Sequence, residues 1–521
     1  MTISHAAGNS SRMGPQGPAN VMKIKSPNRT CPYPLGLKPC TGGGGLKRLL
    51  FWLALAAFFA LNLVTPGVGR PGPRPLPQLT VHLGDDIGKL VQQNPPGTAF
   101  QIEAGVYRLQ SIVPKDGDSF IGEPGAILNG AQLLTQFSRS GRFWTVAVQA
   151  TPRREYRGQC AAAHPACTYP EDLFFDNKPL GRVAELEDVG PGTWYLDYDG
   201  HQAYFGDDPA SHTVEISLIP YAIKGASSKV RIEGLDIEKY ACEASDGAVD
   251  GRGTSGQMSR NWVVQNDVIR LNHGMGIRLG DAMQVLSNKI VQNGQLGVGG
   301  GGSDGVVDGN EIAGNNYAGY DYGWEAGGSK FAFTHNLVVR NNYVHDNDGP
   351  GLWTDLENEN TLYDHNHTAS NREAGILHEV SYRAVIRNNV IENDGFSDLP
   401  KTEPWYGAGI IVAASSDVEV YSNTVTNCMN GIVGTQPQRE LSHKGTPYLL
   451  QNLNVHDNSI TQNHGVAAGV VRSGLLGDEV FASRNNRFVN NQFHLANSRA
   501  KYFAWKGTQL SYSEWKAETQ P

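Results

Sequence analysis

Charge is scarce in this chain. Asp, Glu, Lys and Arg make up 18% of the 521 residues, with a formal net charge of -8 and a pI near 6.0. A nucleic-acid binder would show a basic face, so that class is set aside and no nucleic-acid partner is expected. The deficit does not exclude acidic sugars, which local basic residues can bind. Cysteine is sparse too, with six in all. Cys160 and Cys167, in a Pro-containing loop, read as a local disulfide of an exported protein, whereas Cys242 and Cys428 read as core thiols. Cys31 and Cys40 are left unpaired, and no Cys/His spacing specifies zinc. Gly297 to Gly302 (GVGGGG) lacks a following Lys-Ser/Thr, which excludes a phosphate-binding loop and leaves tight packing or a thin coil. No nucleophile elbow is present, so Ser-His-Asp catalysis has no footing. Nor is there a leucine ladder or a 3.6-residue apolar period, which removes leucine-rich and helical repeats.

What the chain does have is a repeat. Val339-Arg340-Asn341-Asn342-Tyr343-Val344-His345-Asp346-Asn347 leads to Gly351-Leu352-Trp353-Thr354-Asp355. Asn366-His367-Thr368-Ala369-Ser370-Asn371 leads in the same way to Gly375-Ile376-Leu377-His378-Glu379. The template is an asparagine, an apolar or β-branched residue two positions on, a polar residue five on, and Gly plus an aliphatic nine to ten on. Asn266, Asn288, Asn310, Asn342, Asn366, Asn388, Asn423, Asn458 and Asn486 fit its start, at separations of 22, 22, 32, 24, 22, 35, 35 and 28. Periods of this size mean stacked coils. Short β-branched strands between Asn and Gly corners would stack about 4.8 Å apart as parallel sheets. A column of Asn at one corner would satisfy backbone groups otherwise buried unpaired.

On these residues the sequence resembles the right-handed parallel β-helix proteins of the pectate-lyase-like superfamily, over roughly residues 80 to 500. The resemblance implies an all-β solenoid and carries no single reaction, because that fold hosts lyases, hydrolases, epimerases and adhesins.

The remaining chain fits around such a solenoid. Residues 1–48 read as a disordered segment rich in Gly, Pro and Ser. Leu49 to Val64 is an apolar run of 16 residues behind Lys47-Arg48, a signal peptide or signal anchor that would export the body and offer a membrane contact. Residues 65–78 form a Pro/Gly linker, 79–130 a cap with the first coils, 131–220 an inserted antiparallel β subdomain, 221–495 the coils, and 496–521 a closing cap. The expected location is extracellular or at the cell surface, and the expected state is a monomer.

Period-two alternation assigns faces. Trp353 and Asp355 point outward on one coil, with Leu377 and Glu379 outward directly above, so the two carboxylates become stacked neighbours. Such a pair repels unless a cation, a proton or an arginine intervenes, which marks Asp355 and Glu379 for Ca²⁺ binding or for sharing a proton. The register puts His378 inward or at the strand end, where a hydrogen-bonded core histidine is as natural as a base. Long intervals at 316–335, 394–408 and 435–451 would raise walls around this face and make a cleft. The first carries Asp321, Tyr322, Trp324, Glu325 and Lys330, the second Trp405, and the third His443-Lys444. Aromatic faces stack on sugars, so Trp324, Trp353, Tyr322 and Trp405 are the expected substrate contacts, with packing of their own loops as the plainer alternative.

The resemblance adds family patterns. β-Helix polysaccharide lyases combine acidic Ca²⁺ ligands with an Arg or Lys base, residue types that Asp355, Glu379, Glu325, Lys330 and Arg383 supply without a matching linear motif. Alginate C5-epimerases carry a Tyr-Gly-Phe-Asp-Pro-His stretch, of which Gly319-Tyr320-Asp321 matches only Gly-aromatic-Asp. The expectation is a protein acting on an acidic extracellular polysaccharide by C5 proton abstraction, as lyase or epimerase, with Lys330, Arg383, His378 and Asp321 as catalytic candidates and Asp355, Glu379 and Glu325 as calcium candidates. Glycoside hydrolysis on the Asp355/Glu379 acid pair, or glycan binding without catalysis, are the alternatives.

Overall fold

A computed structural model describes residues 77–519 apart from 153–155, 397–406, 440 and 474–476. The leader and apolar run expected over the first 64 residues lie outside the described residues, as does Trp405. Among the described residues no helix is long and apolar enough to cross a membrane.

Each coil contributes three short strands separated by corner residues. One coil runs Met275–Leu279, Gln284–Leu286 and Lys289–Val291, and the next repeats it as Leu296–Ser303, Val306–Asp308 and Glu311–Ala313. All three pairs are parallel and in register, with Ile277 opposite Val298, Val285 opposite Val307, and Ile290 opposite Ile312. Aliphatics stack on aliphatics inside. Ile277 and Val298, then Leu352, Ile376, Ile410 and Ile432 beyond an intervening Ser329, form one such file, each of the aliphatics fully buried. Each contributes about 1.5–3 kcal/mol by leaving water.

Two asparagine ladders close the corners. In the first, the side-chain amides of Asn288, Asn310, Asn342, Asn366, Asn389 and Asn423 each donate to the Oδ1 of the next, at 2.9–3.1 Å, ending on Asn458. The second runs Asn272, Asn293, Asn315, Asn347 and Asn371 to Asp394, at the template's fifth position. The repeat template is one residue early at two rungs. Asp267 and Asn389 occupy the ladder, not Asn266 and Asn388, because both asparagines sit in the left-handed conformation of the preceding corner, with φ of 57° and 55°. Asn491 extends the ladder in place of Asn486.

The glycine run proves to be a bulge. Strand Leu296–Ser303 shifts register against Gly327–His335 between Gly300 and Gly302. Gly300 has φ +105°, and a Cβ on Gly301 would stand 2.6 Å from the Ala332 carbonyl oxygen. Only glycine lets the backbones approach this closely.

Between the first coils and the rest, the chain leaves the solenoid and builds two small sheets around Leu173, Trp194, Phe205 and Ile216. The Cys160–Cys167 disulfide tethers a loop of this excursion. Against that loop pack Tyr320, Tyr322 and Trp324 of the first long insertion. At the far end Phe503 stacks on Trp515 of helix Tyr512–Thr519, covering the last coil.

Candidate active site

The strands that follow the second asparagine ladder form the face of interest. Trp353 pairs with Leu377 and Thr354 with His378, and Asp355 and Glu379 are the residues that follow these paired positions on the two adjacent coils. Side chains one position apart face opposite sides of the sheet. Trp353, Asp355, Leu377 and Glu379 therefore point away from the core while Thr354 and His378 point into it.

Each carboxylate has a cationic partner. Lys330 Nζ lies 2.9 Å from Asp355 Oδ2, donates to the Trp324 carbonyl oxygen at 2.8 Å, and stands 3.8 Å from the centre of the Trp353 ring. Its side chain is 8% exposed and that of Asp355 14%. Glu379 pairs with the guanidinium of Arg439, which the third long insertion brings over the sheet. Burial pulls the Arg439 guanidinium down from its ordinary value, and the nearby Asp355 charge opposes that pull. Glu357 clamps the same insertion, accepting from the His443 backbone N–H at 2.7 Å and the Tyr448 hydroxyl at 3.0 Å. The repulsion between stacked carboxylates is thus met by a lysine and an arginine.

A further carboxyl lies behind Lys330. Glu373 is buried, its Oε2 has no hydrogen-bond partner, and burial pushes it up to about 8. Lys330 opposes that shift and Asp321 reinforces it.

The other sequence candidates are placed as follows. His378 is fully buried, 2.7 Å from Thr354 Oγ1, and burial pushes it down to about 3. It faces the core and does not reach the outer face, which corrects its placement among the catalytic groups. Arg383 is exposed on strand Tyr382–Arg387, on a different face of the solenoid, paired with Glu359 and donating to Asn360 Oδ1 at 2.9 Å. It does not join the cluster, because it sits beyond the corner that follows Glu379. Asp321 caps the short helix Tyr322–Glu325, accepting from Gly323 N at 2.9 Å. Tyr322 lies under Arg372, and Trp324 is half-buried against Tyr320, both within the cluster around the disulfide loop. Trp353 turns outward but is 3% exposed, within a buried cluster with Leu377, Ile411 and Val433. Its ring positions Lys330 and offers no open stacking surface. Glu325 accepts from Ser245 Oγ at 3.0 Å, toward earlier coils.

A calcium site would need several free oxygen ligands. Asp355 and Glu379 are each committed to a cationic side chain, and Glu325 turns to Ser245. Among the described residues no group of three or more His, Cys, Asp or Glu is placed to hold a metal ion. The donor set does not fit calcium.

Sequence reasoning missed Arg439 and Glu373. Arg439 carries no repeat signal, since it lies in an insertion, while Glu373 stands two residues before Gly375, where the template marks only a corner.

Residues 252–433 match the family model described as the right handed beta helix region. No curated protein matches the chain. A solved structure described as the complex of XylC with xylose superposes with a TM-score of 0.58 at 14% identity, covering 78% of this chain and 79% of that one. The A-module of an Azotobacter vinelandii mannuronan C-5 epimerase gives 0.45 at 12% identity, with 82% of this chain and 92% of that chain covered. A polygalacturonase from Erwinia carotovora ssp. carotovora gives 0.41 at 9% identity, with 85% and 99% covered. The fold of the chain is a right-handed parallel β-helix.

Proposed function

We propose that this protein is an exported glycoside hydrolase whose acid pair is Asp355 and Glu379. The observation that carries the reading is their stacking on adjacent coils, outward, with separate cationic partners. Strand spacing of about 4.8 Å is close to the roughly 5–5.5 Å between carboxyls that attack and protonate from opposite sides of a glycosidic bond. Asp355, whose counter-charge is buried and fixed by Trp353, acts as the nucleophile. Glu379, whose partner Arg439 is the more exposed of the two cations, acts as acid and then base once the entering saccharide displaces that arginine.

Once the saccharide has displaced Arg439, Glu379 takes up a proton from solvent; in the first step it gives that proton to the glycosidic oxygen, the bond from C1 to that oxygen breaks, and Asp355 bonds to C1. In the second, Glu379 takes a proton from water, the water oxygen bonds to C1, and Asp355 leaves. C5 proton abstraction finds less support: His378 is internal, Arg383 stands on another face, and Lys330 is engaged by Asp355. The xylose named with one protein of this fold agrees with a saccharide ligand. The Cys160–Cys167 disulfide agrees with an oxidising, extracytoplasmic compartment, and anchoring through residues 49–64 remains part of the proposal.

The test offers the full chain a panel of neutral and acidic polysaccharides and aryl glycosides, with and without chelator. Reducing ends should appear without unsaturated-uronate absorbance, regardless of chelator, and disappear in Asp355→Asn and Glu379→Gln. Chelator-sensitive absorbance would instead establish a lyase, proton exchange at C5 an epimerase, and retention of polymer without any product a binding protein.

A further inference from the structure

A second concave surface lies on another face of the solenoid, where Arg383 was found. Strand Tyr382–Arg387 turns Arg383, Val385 and Arg387 outward together, since alternate residues share a face. The parallel register continues this pattern over neighbouring coils. Val385 stands between Leu362 and Glu419, followed by Asn454 and Arg487, while Arg387 stands beside Tyr421. Short Leu362 and Val385 form a floor between longer side chains on either side. The result is a groove of about 700 Å³ spanning five coils, in the size range of small-molecule and oligosaccharide sites.

Its chemistry is polar and locally neutral. Arg383 is paired with Glu359, and Arg387 donates to Asp364 Oδ2 and to the Tyr421 hydroxyl, each at 3.1 Å. Arg487 donates to Asn454 Oδ1 at 3.1 Å. Asp417 and Glu419 also line the groove, so its three guanidinium groups meet at least as many carboxylates. An anionic polymer gains nothing from such a surface. A chain of hydroxyl groups does, because paired guanidinium, carboxylate and amide groups offer donors and acceptors in fixed directions. The apolar floor at Leu362 and Val385 suits the C–H face of a sugar ring. Successive coils, about 4.8 Å apart, repeat at nearly the length of one pyranose in an extended chain, which lets one sugar meet one coil.

We infer that this groove is a saccharide-binding site for a neutral, extended glycan, separate from the Asp355/Glu379 face, and that it holds polymer without cleaving it. The ligand class follows from the groove's own lining and stands whether or not the acid pair is hydrolytic.

Binding is measured by affinity electrophoresis of the full chain carrying Glu379→Gln in gels containing soluble xylan, mixed-linkage glucan or alginate. A neutral polymer should retard the protein, with little response to salt. Asn454→Trp, which fills the groove floor, should weaken that retention at least tenfold. Glu419→Trp, at an exposed strand position of the same groove, should act in the same direction and guards against a folding defect in the first variant. In the otherwise unchanged chain, neither Asn454→Trp nor Glu419→Trp should alter cleavage of a short aryl glycoside. Full retention in both groove variants, retardation by alginate alone that salt abolishes, or no retardation by any neutral polymer would each overturn the inference. Loss of all hydrolysis in the unsubstituted chain with groove-dependent retention intact would remove the proposed activity and leave the groove standing.

Discussion

Lys330 is the residue on which the acid pair depends structurally. Its ammonium group and the Asp355 carboxylate are both largely buried, and removing one partner of a buried pair leaves an uncompensated charge that costs about 3–5 kcal/mol. Lys330→Met should therefore destabilise the protein by about 3 kcal/mol in denaturant titrations. The double variant with Asp355→Asn should recover much of that loss, and a cycle showing simple additivity would mean that the ion pair is not formed. Asp355→Asn and Glu379→Gln should each lower hydrolysis by about 10²–10⁴-fold, the range of positioned acid–base groups, and Asp355→Asn alone should also cost stability, because it leaves the Lys330 ammonium buried without its counter-charge. Asp355 and Glu379 were legible in the sequence because period-two alternation needs only a register. Their partners were legible unevenly: Lys330 stands on the sheet itself, but Arg439 depends on how an insertion folds back, which no periodicity encodes. The aromatic residues misled for the opposite reason. Tyr322 and Trp324 have the composition of a sugar platform, yet their rings are used against Arg372 and Tyr320.

At the scale of elements, the ladders hold the coils in register, and one rung is chemically different. Asp394 replaces asparagine, accepts from Thr368 Oγ1 at 2.7 Å and from the Asn371 amide at 2.9 Å, and burial pushes it up to about 7. Its ordinary value is 3.8. The folded state therefore keeps the proton that the unfolded chain releases, so stability is complete below pH ~4 and falls as pH rises toward ~7. Asp394→Asn abolishes this dependence. At about 1.4 kcal/mol per unit, the variant should gain as much as ~4 kcal/mol on the parent between pH 4 and pH 8 in chemical unfolding. An unchanged difference at the two pH values would contradict the buried, protonated carboxyl. Counted from Asn388, the coil template puts its polar residue at Asn393, one short of this rung. It placed Asn266 and Asn388 in the first ladder because consecutive polar residues at a corner look alike in sequence. Only the left-handed backbone at those positions separates the turn former from the rung.

Taken whole, the molecule joins a one-dimensional stack, in which each coil touches only its neighbours, to a side structure that must be locked on. The excursion between residues 131 and 217 contributes Asp172, whose carboxylate lies 3.0 Å from His273 Nδ1 of the solenoid and accepts from the Tyr317 hydroxyl at 2.7 Å. His273 Nε2 in turn lies 2.8 Å from the Cys167 carbonyl oxygen and 3.1 Å from the Tyr320 hydroxyl. This buried network links the disulfide loop, the first long insertion and the coil, so the wall beside Lys330 is held from outside the solenoid. Tyr317→Phe removes one donor to Asp172 and leaves the ring, which should cost about 1–3 kcal/mol. If the network is a local lock, the cost appears as faster amide exchange in residues 131–217 and in the Tyr322–Glu325 helix, while the coils beyond Asn423 keep their protection. Hydrolysis should fall as well, because Lys330 draws one of its bonds from the Trp324 carbonyl oxygen on that helix. Uniform loss of protection along the whole stack would show that the excursion supports the fold globally and does not specifically brace the candidate site.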